Sequence, residues 1–216
     1  LVTDGLSQYH LVDKKLPDVT NANCWAHARR RYEEAVKALP AKSRKSSLAW
    51  QALEQINMIY HVDNTLKELI PEERKKRRQD SVKPLVEAYF AWVKEKKKDG
   101  RIAEKSKTGK GLSYSLNQEE YLKVFLENGN VPLDNNAAER AIRNFCIGRK
   151  NWVIIDTIRG AKSSAMIYSI AETAKANYLK PYEYFEYLLE EIPKHMDDKD
   201  LSFCGNLLPW LPNRTR

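Results

Sequence analysis

Residues 132–143 read Pro-Leu-Asp-Asn-Asn-Ala-Ala-Glu-Arg-Ala-Ile-Arg, and this stretch says more about the fold than any other part of the chain. The pattern predicts a loop, a cap formed by Asn135 and Asn136, and then a helix with one glutamate in its first turn. That glutamate, Glu139, can point from a well-anchored helix at a metal ion. Together with Asp4, which ends a short apolar run predicted to be a buried strand, it suggests a divided carboxylate site for phosphoryl-transfer chemistry.

A purely structural interpretation of Glu139 is equally available from the spacing. Asn136 and Glu139 also form the pattern of a capping box, in which the two side chains bond backbone N–H groups at the helix start. Glu139 and Arg143 are four residues apart, in the favourable order for an ion pair on a helix surface. The spacing alone therefore leaves both roles open.

Composition bounds the class of protein. The chain has 216 residues, of which 42% are hydrophobic and 31% are charged, as expected for a soluble globular protein with one large or two small domains. No apolar run reaches membrane-spanning length and no signal peptide is visible, so we expect no membrane association and a cytoplasmic location. Three widely spaced cysteines predict reduced thiols. Because Leu1 is not methionine, we expect the chain to begin inside a longer protein.

The positive charge is concentrated in one segment. Residues 42–110 account for the whole net charge of +8, since acidic and basic residues balance in the rest of the chain. Such a segment is typical of a surface that binds a polyanion. A solvated, lysine-rich helical surface would give the same pattern.

Hydrophobic periodicity predicts a mainly helical chain with a few strands. A second strand is predicted over residues 151–156, and the basic, glycine-containing residues 101–111 are predicted to be a mobile linker. The helices are predicted over residues 23–39, 48–69, 71–80, 82–98, 115–127, 139–147, 163–177 and 181–192.

Further polar groups have two interpretations. Cys24 and His27 lie one helical turn apart, but a zinc site needs two more ligands and no second pair with suitable spacing is present, which favours a structural role for both residues. Arginines and lysines near the acidic residues fit phosphate recognition, and surface ion pairs nearly as well. These cations are Arg29, Arg30, Arg140, Arg143, Arg149 and Lys150.

The sequence resembles the insertion sequence 66 transposases. The resemblance rests on residues 132–143, 147–152, 159–161 and 172–177, on Thr3-Asp4-Gly5 with Tyr9, on residues 24–30, and on the tail from 182 to 210. It covers nearly the whole chain and is weakest across the basic helical segment.

The resemblance implies a part of a ribonuclease H-like α/β catalytic core with an Asp-Asp-Glu triad, interrupted by a helical insertion. Asp4 matches the second aspartate and Glu139 the glutamate. The first aspartate would lie upstream of Leu1, so we expect this chain to be an inactive fragment. The implied organisation is core at 1–41, basic insertion at 42–111, core again at 112–178, and a carboxyl-terminal extension at 179–216.

The implied function is metal-dependent cleavage and strand transfer of DNA at transposon ends. Asp4 and Glu139 would bind Mg²⁺ or Mn²⁺, the six cations above would bind DNA, and Cys24, His27, Asn135 and Asn136 would be structural. The partners would be transposon-end and target DNA, with a homo-oligomer as the active form in the bacterial nucleoid. A non-catalytic DNA-binding module, a helical interaction module and a nuclease without transposition remain the alternatives.

Overall fold

The computed structural model describes residues 1–6, 8–11, 16, 18–152 and 154–211, and for residues 10 and 149–152 it describes the backbone alone. The chain forms two compact units, Leu1–Ala137 and Ala138–Arg216.

The amino-terminal unit is a helical assembly with a small parallel sheet at one edge. Strand β1 (Val2–Thr3) pairs with β2 (Ala22–Asn23), with Val2 opposite Ala22 and Thr3 opposite Asn23. Its α-helices are α1 (Trp25–Lys37), α2 (Leu48–Asn64), α3 (Pro71–Arg77), α4 (Lys83–Lys98), α5 (Lys107–Asn117) and α6 (Glu119–Lys123). A π-helical turn, Arg78–Val82, joins α3 to α4, and short 3-10 helices lie at Tyr9–Leu11, Ala41–Ser43 and Val124–Leu126.

Helix α1 forms the centre of the core because its apolar residues recur at helical spacing. Its buried face includes Trp25, Ala28 and Tyr32. The Trp25 ring packs against Tyr89 of α4 at 5.6 Å between ring centroids, and its indole N–H donates to the Leu122 carbonyl at 2.8 Å. Burial of the ring and satisfaction of its polar N–H therefore occur together.

A fully buried arginine fixes the loop that precedes the stretch at 132–143. The Arg78 guanidinium bonds both carboxylate oxygens of Asp63, at 2.6 and 3.2 Å. It also donates to the carbonyls of Phe125, Asn128 and Val131 at 2.7, 3.0 and 2.8 Å. A buried ion pair is tolerated only with such additional hydrogen bonds, so the π-helical turn and the loop at 125–131 are held to each other.

The carboxyl-terminal unit consists mainly of three helices. They are α7 (Asn136–Trp152), which starts at the end of the first unit, α8 (Ile158–Ala176) and α9 (Pro181–Glu191), followed by 3-10 helices at Ile192–His195 and Ser202–Leu207. Phe145 of α7 meets Tyr168 of α8 edge to face at 5.3 Å. The Tyr184 hydroxyl donates to the Leu207 carbonyl at 2.6 Å, which attaches the tail to α9.

The prediction of a mainly α protein is confirmed, and the predicted helices over 48–69, 82–98 and 181–192 correspond to α2, α4 and α9 with shifted ends. None of the helices that the structure describes is long and apolar enough to cross a membrane.

The predicted linker at 101–111 is wrong, because its second half belongs to α5. Ser106 caps this helix by accepting from the Gly109 N–H at 3.0 Å. A Cβ at Gly109 would lie 2.3 Å from the Ala103 carbonyl oxygen, and one at Gly111 would lie 2.8 Å from the Tyr32 ring. The glycines therefore allow close packing, and the helix predicted to begin at Ser115 begins at Lys107 instead.

The predicted strand at 151–156 is also wrong. Helix α7 continues through Trp152, and residues 154–156 are irregular, while residue 153 lies outside the described residues. Whether a segment forms a strand depends largely on packing against neighbouring strands. The described part of the chain provides no strand that pairs with this segment.

Candidate active site

Asp4 lies at the carboxyl end of the small parallel sheet. The Cys24 N–H donates to the Thr3 carbonyl at 2.8 Å, which keeps the two strand ends level. The Asp4 side chain is half-buried, and one of its oxygens accepts from the Leu6 N–H at 3.2 Å. A half-exposed carboxylate at a strand end is suited to binding a cation from solvent.

Tyr114 of α5 fixes the backbone at Asp4. Its hydroxyl donates to the Asp4 carbonyl at 2.9 Å. The next residue, Gly5, has φ 82°, and a Cβ there would lie 2.9 Å from the Asn23 amide nitrogen and 3.0 Å from the Tyr114 oxygen. Only glycine suits this turn. Burial raises the pKa of Tyr114 to about 12, so the hydroxyl remains a donor near neutral pH.

The three consecutive arginines of α1 point to different surroundings, as their angular spacing on a helix requires. Arg29 pairs with Glu33 at 3.1 Å and donates to Asn57 of α2 at 2.8 Å. Arg30 is exposed. Arg31, which the sequence analysis did not assign to DNA, is exposed and lies over the Tyr114 ring, 4.2 Å from its centroid.

The loop before α7 lies beside the end of β2. The Trp25 N–H donates to the Leu133 carbonyl at 3.0 Å, and the Asn135 N–H contacts the Cys24 sulfur at 3.4 Å. Cys24 is fully buried at the start of α1, and burial raises the pKa of its thiol. The structure thus brings Asp4, Cys24 and Asn135 to one edge of the unit. His27, one turn into α1, is half-buried.

Asp134 sets the start of α7. One of its oxygens accepts from the Asn136 N–H at 3.1 Å, and the other accepts from the Tyr60 hydroxyl of α2 at 3.3 Å. Burial, with Asp134 close by, raises the pKa of Tyr60. Because this turn makes Asn136 the first helical residue, the predicted capping box with Asn136 as the cap is wrong. Sequence reasoning missed Asp134, although an aspartate two residues before a helix is a recognisable signal.

Glu139 and the cations that follow it lie on α7. Glu139 is in the first turn and half-buried, while Arg140 and Arg143 are exposed. The side chains of Arg149 and Lys150 lie outside the described residues. Asp4 and Glu139 belong to different compact units.

The donor chemistry of these carboxylates fits magnesium, which prefers hard oxygen ligands. Among the residues that the structure describes, however, no three His, Cys, Asp or Glu side chains cluster as a metal site requires. Asp4 has one oxygen bonded to a backbone N–H and so retains a free lone-pair direction for a cation.

The sequence matches models of a known protein family. The family model described as Transposase IS66 family matches residues 1–163, and the one described as IS66 C-terminal element matches residues 169–210. No solved structure matches the chain.

Curated relatives are longer than this chain. The chain is 29% identical to the uncharacterized protein y4hP of Sinorhizobium fredii over 96% of its own length and 38% of that protein's. It is 27% identical to y4qI of the same organism, over 97% of this chain and 38% of the relative. The chain thus spans little more than a third of the curated relatives it matches, while the two family models together cover most of its residues. On these matches, the chain belongs to the IS66 transposase family.

Proposed function

We propose that this chain is the part of an Asp-Asp-Glu DNA transposase that supplies two of its three metal-binding carboxylates, Asp4 and Glu139. The observation that supports this best is the position of Asp4, half-exposed at the end of a parallel strand and held by Tyr114 through its backbone. The small parallel sheet would be part of a ribonuclease H-like core whose remaining strands lie in other residues of the protein.

When bound, Mg²⁺ or Mn²⁺ would activate the attacking water or 3′-hydroxyl and stabilise charge on the phosphate. Asp4 would hold the cation with its free oxygen while its other oxygen keeps the bond to Leu6. Glu139 would supply the second carboxylate from the first turn of α7. Asp134 and Tyr60 hold the start of this helix in place.

DNA phosphates would bind the exposed cations. Arg140 and Arg143 are exposed on α7, next to Glu139 in sequence, and Arg30 is exposed on α1. Arg29 already bonds Glu33 and Asn57, so we assign it a supporting role instead of a phosphate contact. Arg149 and Lys150 stay predictions.

The chain by itself would not cut DNA. Two carboxylates provide too few ligands for two-metal chemistry, and the described residues contain no cluster of three. The third carboxylate would come from residues that precede Asp4 in the longer protein, and the active form would be a homo-oligomer on transposon ends.

The test is a nicking assay with Mg²⁺ or Mn²⁺ on supercoiled DNA, using the protein extended upstream. Asp4→Asn and Glu139→Gln should each abolish nicking while the folded state and the DNA affinity remain. Glu120→Gln, at an exposed carboxylate of α6, is the matched control and should nick normally. Nicking by either site variant at the wild-type rate would refute the assignment.

A DNA-binding role without catalysis is the second candidate, and one observation favours it. Residues 42–110 hold the whole net charge of +8, and Lys75, Lys76 and Arg77 of α3 are exposed. If this were the only function, DNA affinity would fall steeply with salt and would not respond to metal, and the extended protein would not nick. If the chain were instead a helical interaction module, Glu139 would have no part in catalysis and Glu139→Gln would change no activity.

A further inference from the structure

We propose that Arg31 binds a DNA phosphate close to the metal that Asp4 would hold, and that Tyr114 positions both residues. This inference rests on the proposed function, because it takes Asp4 to be a metal ligand. It adds Arg31 to the site as a phosphate-binding residue and Tyr114 as a positioning residue. Arg31 is not among the cations assigned to DNA phosphates above.

One side chain connects the arginine to the carboxylate-bearing strand end. The Arg31 guanidinium lies 4.2 Å from the centroid of the Tyr114 ring. The hydroxyl of the same ring donates to the Asp4 carbonyl at 2.9 Å. Arg31 and the Asp4 backbone therefore contact the same tyrosine side chain, one at its ring and the other at its hydroxyl.

Arg31 is available for a ligand, unlike Arg29. Arg29 is engaged by Glu33 and Asn57, whereas the contact of Arg31 within the described part of the chain is the Tyr114 ring. A contact with a ring uses no hydrogen-bond acceptor, so the guanidinium keeps N–H groups with which to bond two phosphate oxygens. Because Arg31 is exposed, DNA can reach it without displacing protein.

The contact with the Tyr114 ring limits the motion of the Arg31 side chain before DNA binds. A free arginine side chain loses considerable rotamer entropy when it binds, and a side chain already held over a ring loses less. Tyr114 is itself fixed, since its hydroxyl bonds Asp4 and its helix packs against Tyr32 through Gly111. The turn at Gly5 leaves no room for a side chain between Tyr114 and Asn23, which keeps the strand end close to the ring.

The inference is tested first by binding, without metal, using the protein extended upstream and a short fluorescein-labelled DNA duplex at several KCl concentrations. Arg31→Ala should weaken binding about tenfold, because a charge-assisted hydrogen bond is lost. It should also reduce the slope of log affinity against log salt by about 0.9, the value for one phosphate contact. Lys37→Ala, at an exposed cation of the same helix, is the control and should leave both quantities unchanged. Arg31→Lys should recover the slope but only part of the affinity, since lysine lacks the planar fork.

The positioning role is tested by Tyr114→Phe, which keeps the ring and removes the hydroxyl. DNA affinity should be retained, while the Mg²⁺ concentration needed for half-maximal nicking rises severalfold as Asp4 loses its fixed backbone. Unchanged affinity and salt slope in Arg31→Ala, or unchanged Mg²⁺ dependence in Tyr114→Phe, would overturn the respective part of the inference. Failure of the proposed function is distinguishable, because then Asp4→Asn would itself nick normally.

Discussion

Replacing the buried Arg78 with alanine should destabilise the amino-terminal unit more than any surface change. The guanidinium is fully buried and makes two bonds to Asp63 and three to backbone carbonyls. Removing one partner of a buried ion pair costs about 3–5 kcal/mol. Arg74 still bonds Asp63 at 2.8 Å, which compensates part of the carboxylate charge and places the expected loss near the lower value.

The lost bonds to the Phe125 and Val131 carbonyls add to this loss, whereas the Asn128 carbonyl keeps a donor, the Val131 N–H at 3.1 Å. A buried acceptor left without a donor costs about 1–3 kcal/mol, and less where water fills the space left by the side chain. We therefore expect Arg78→Ala to lower the free energy of unfolding by about 4 kcal/mol, a large share of the roughly 5–15 kcal/mol typical of a domain. Arg78→Lys should lose less, because one ammonium group keeps the charge but cannot reach all the acceptors.

The assay is urea unfolding of the whole chain followed by tryptophan fluorescence, in which the buried Trp25 reports on the core of this unit. Arg77→Ala is the matched control, since Arg77 precedes Arg78 and is exposed, and it should change stability by less than about 0.5 kcal/mol. If Arg78→Ala unfolded at the same urea concentration as Arg77→Ala, the argument that this arginine holds the loop to the π-helical turn would be refuted.

Two further predictions concern packing and thiol reactivity. Gly111→Ala should cost about 1–3 kcal/mol in the same unfolding assay, because its Cβ would lie 2.8 Å from a buried tyrosine ring, whereas Gly205→Ala has nothing within 4 Å and should be nearly neutral. In the folded protein, iodoacetamide at mildly alkaline pH should alkylate the exposed Cys146 and Cys204 but not Cys24, whose raised thiol pKa and burial keep it protonated and inaccessible. Mass spectrometry that found Cys24 modified as fast as the other two would contradict the buried position beside β2.

The helices were predictable where hydrophobic spacing is regular. On α1, Trp25, Ala28, Tyr32 and Ala35 recur at intervals of three and four residues, and the structure buries all of them. On α4 the spacing predicts a buried face of Leu85, Ala88, Tyr89, Trp92 and Val93. The structure buries Tyr89 and Val93 of these together with Val86 and Phe90, and it leaves Ala88 exposed. Such periodicity indicates which face of the helix packs against the core, so the helix can be predicted without knowing its partner.

The predictions of a linker at 101–111 and a strand at 151–156 failed because contacts with distant parts of the chain decide the local structure there. Gly109 and Gly111 lower helix propensity, and the sequence therefore suggested a linker, yet contacts with the Ala103 carbonyl and the Tyr32 ring require the absence of a side chain. Similarly, the apolar residues before Asp156 resemble a strand, but strand propensity depends on neighbouring strands. Neither partner is visible from the local sequence.

The local structure around Asp4 and Glu139 was predictable, whereas the contacts that hold it were not. The strand end at Asp4 and the helix start near Glu139 follow from local patterns. The hydroxyls that bond Asp4 and Asp134 come from Tyr114 and Tyr60, which lie far from them in the chain, and such pairs cannot be read from spacing. The same separation explains why Arg31 was passed over in favour of its neighbours.

These long-range bonds change the role expected for the basic helical segment. Within it, Tyr60 bonds Asp134 at the start of α7, and Arg78 holds the carbonyls of the loop that leads there. Helix α5, whose first residues belong to the same segment, supplies the bond to Asp4. A segment that only bound DNA could be removed without moving the carboxylates. The basic helical segment instead contributes bonds to both sequence stretches that carry Asp4 and Glu139. Its first contribution to the proposed site is therefore structural, and its electrostatic contribution is secondary.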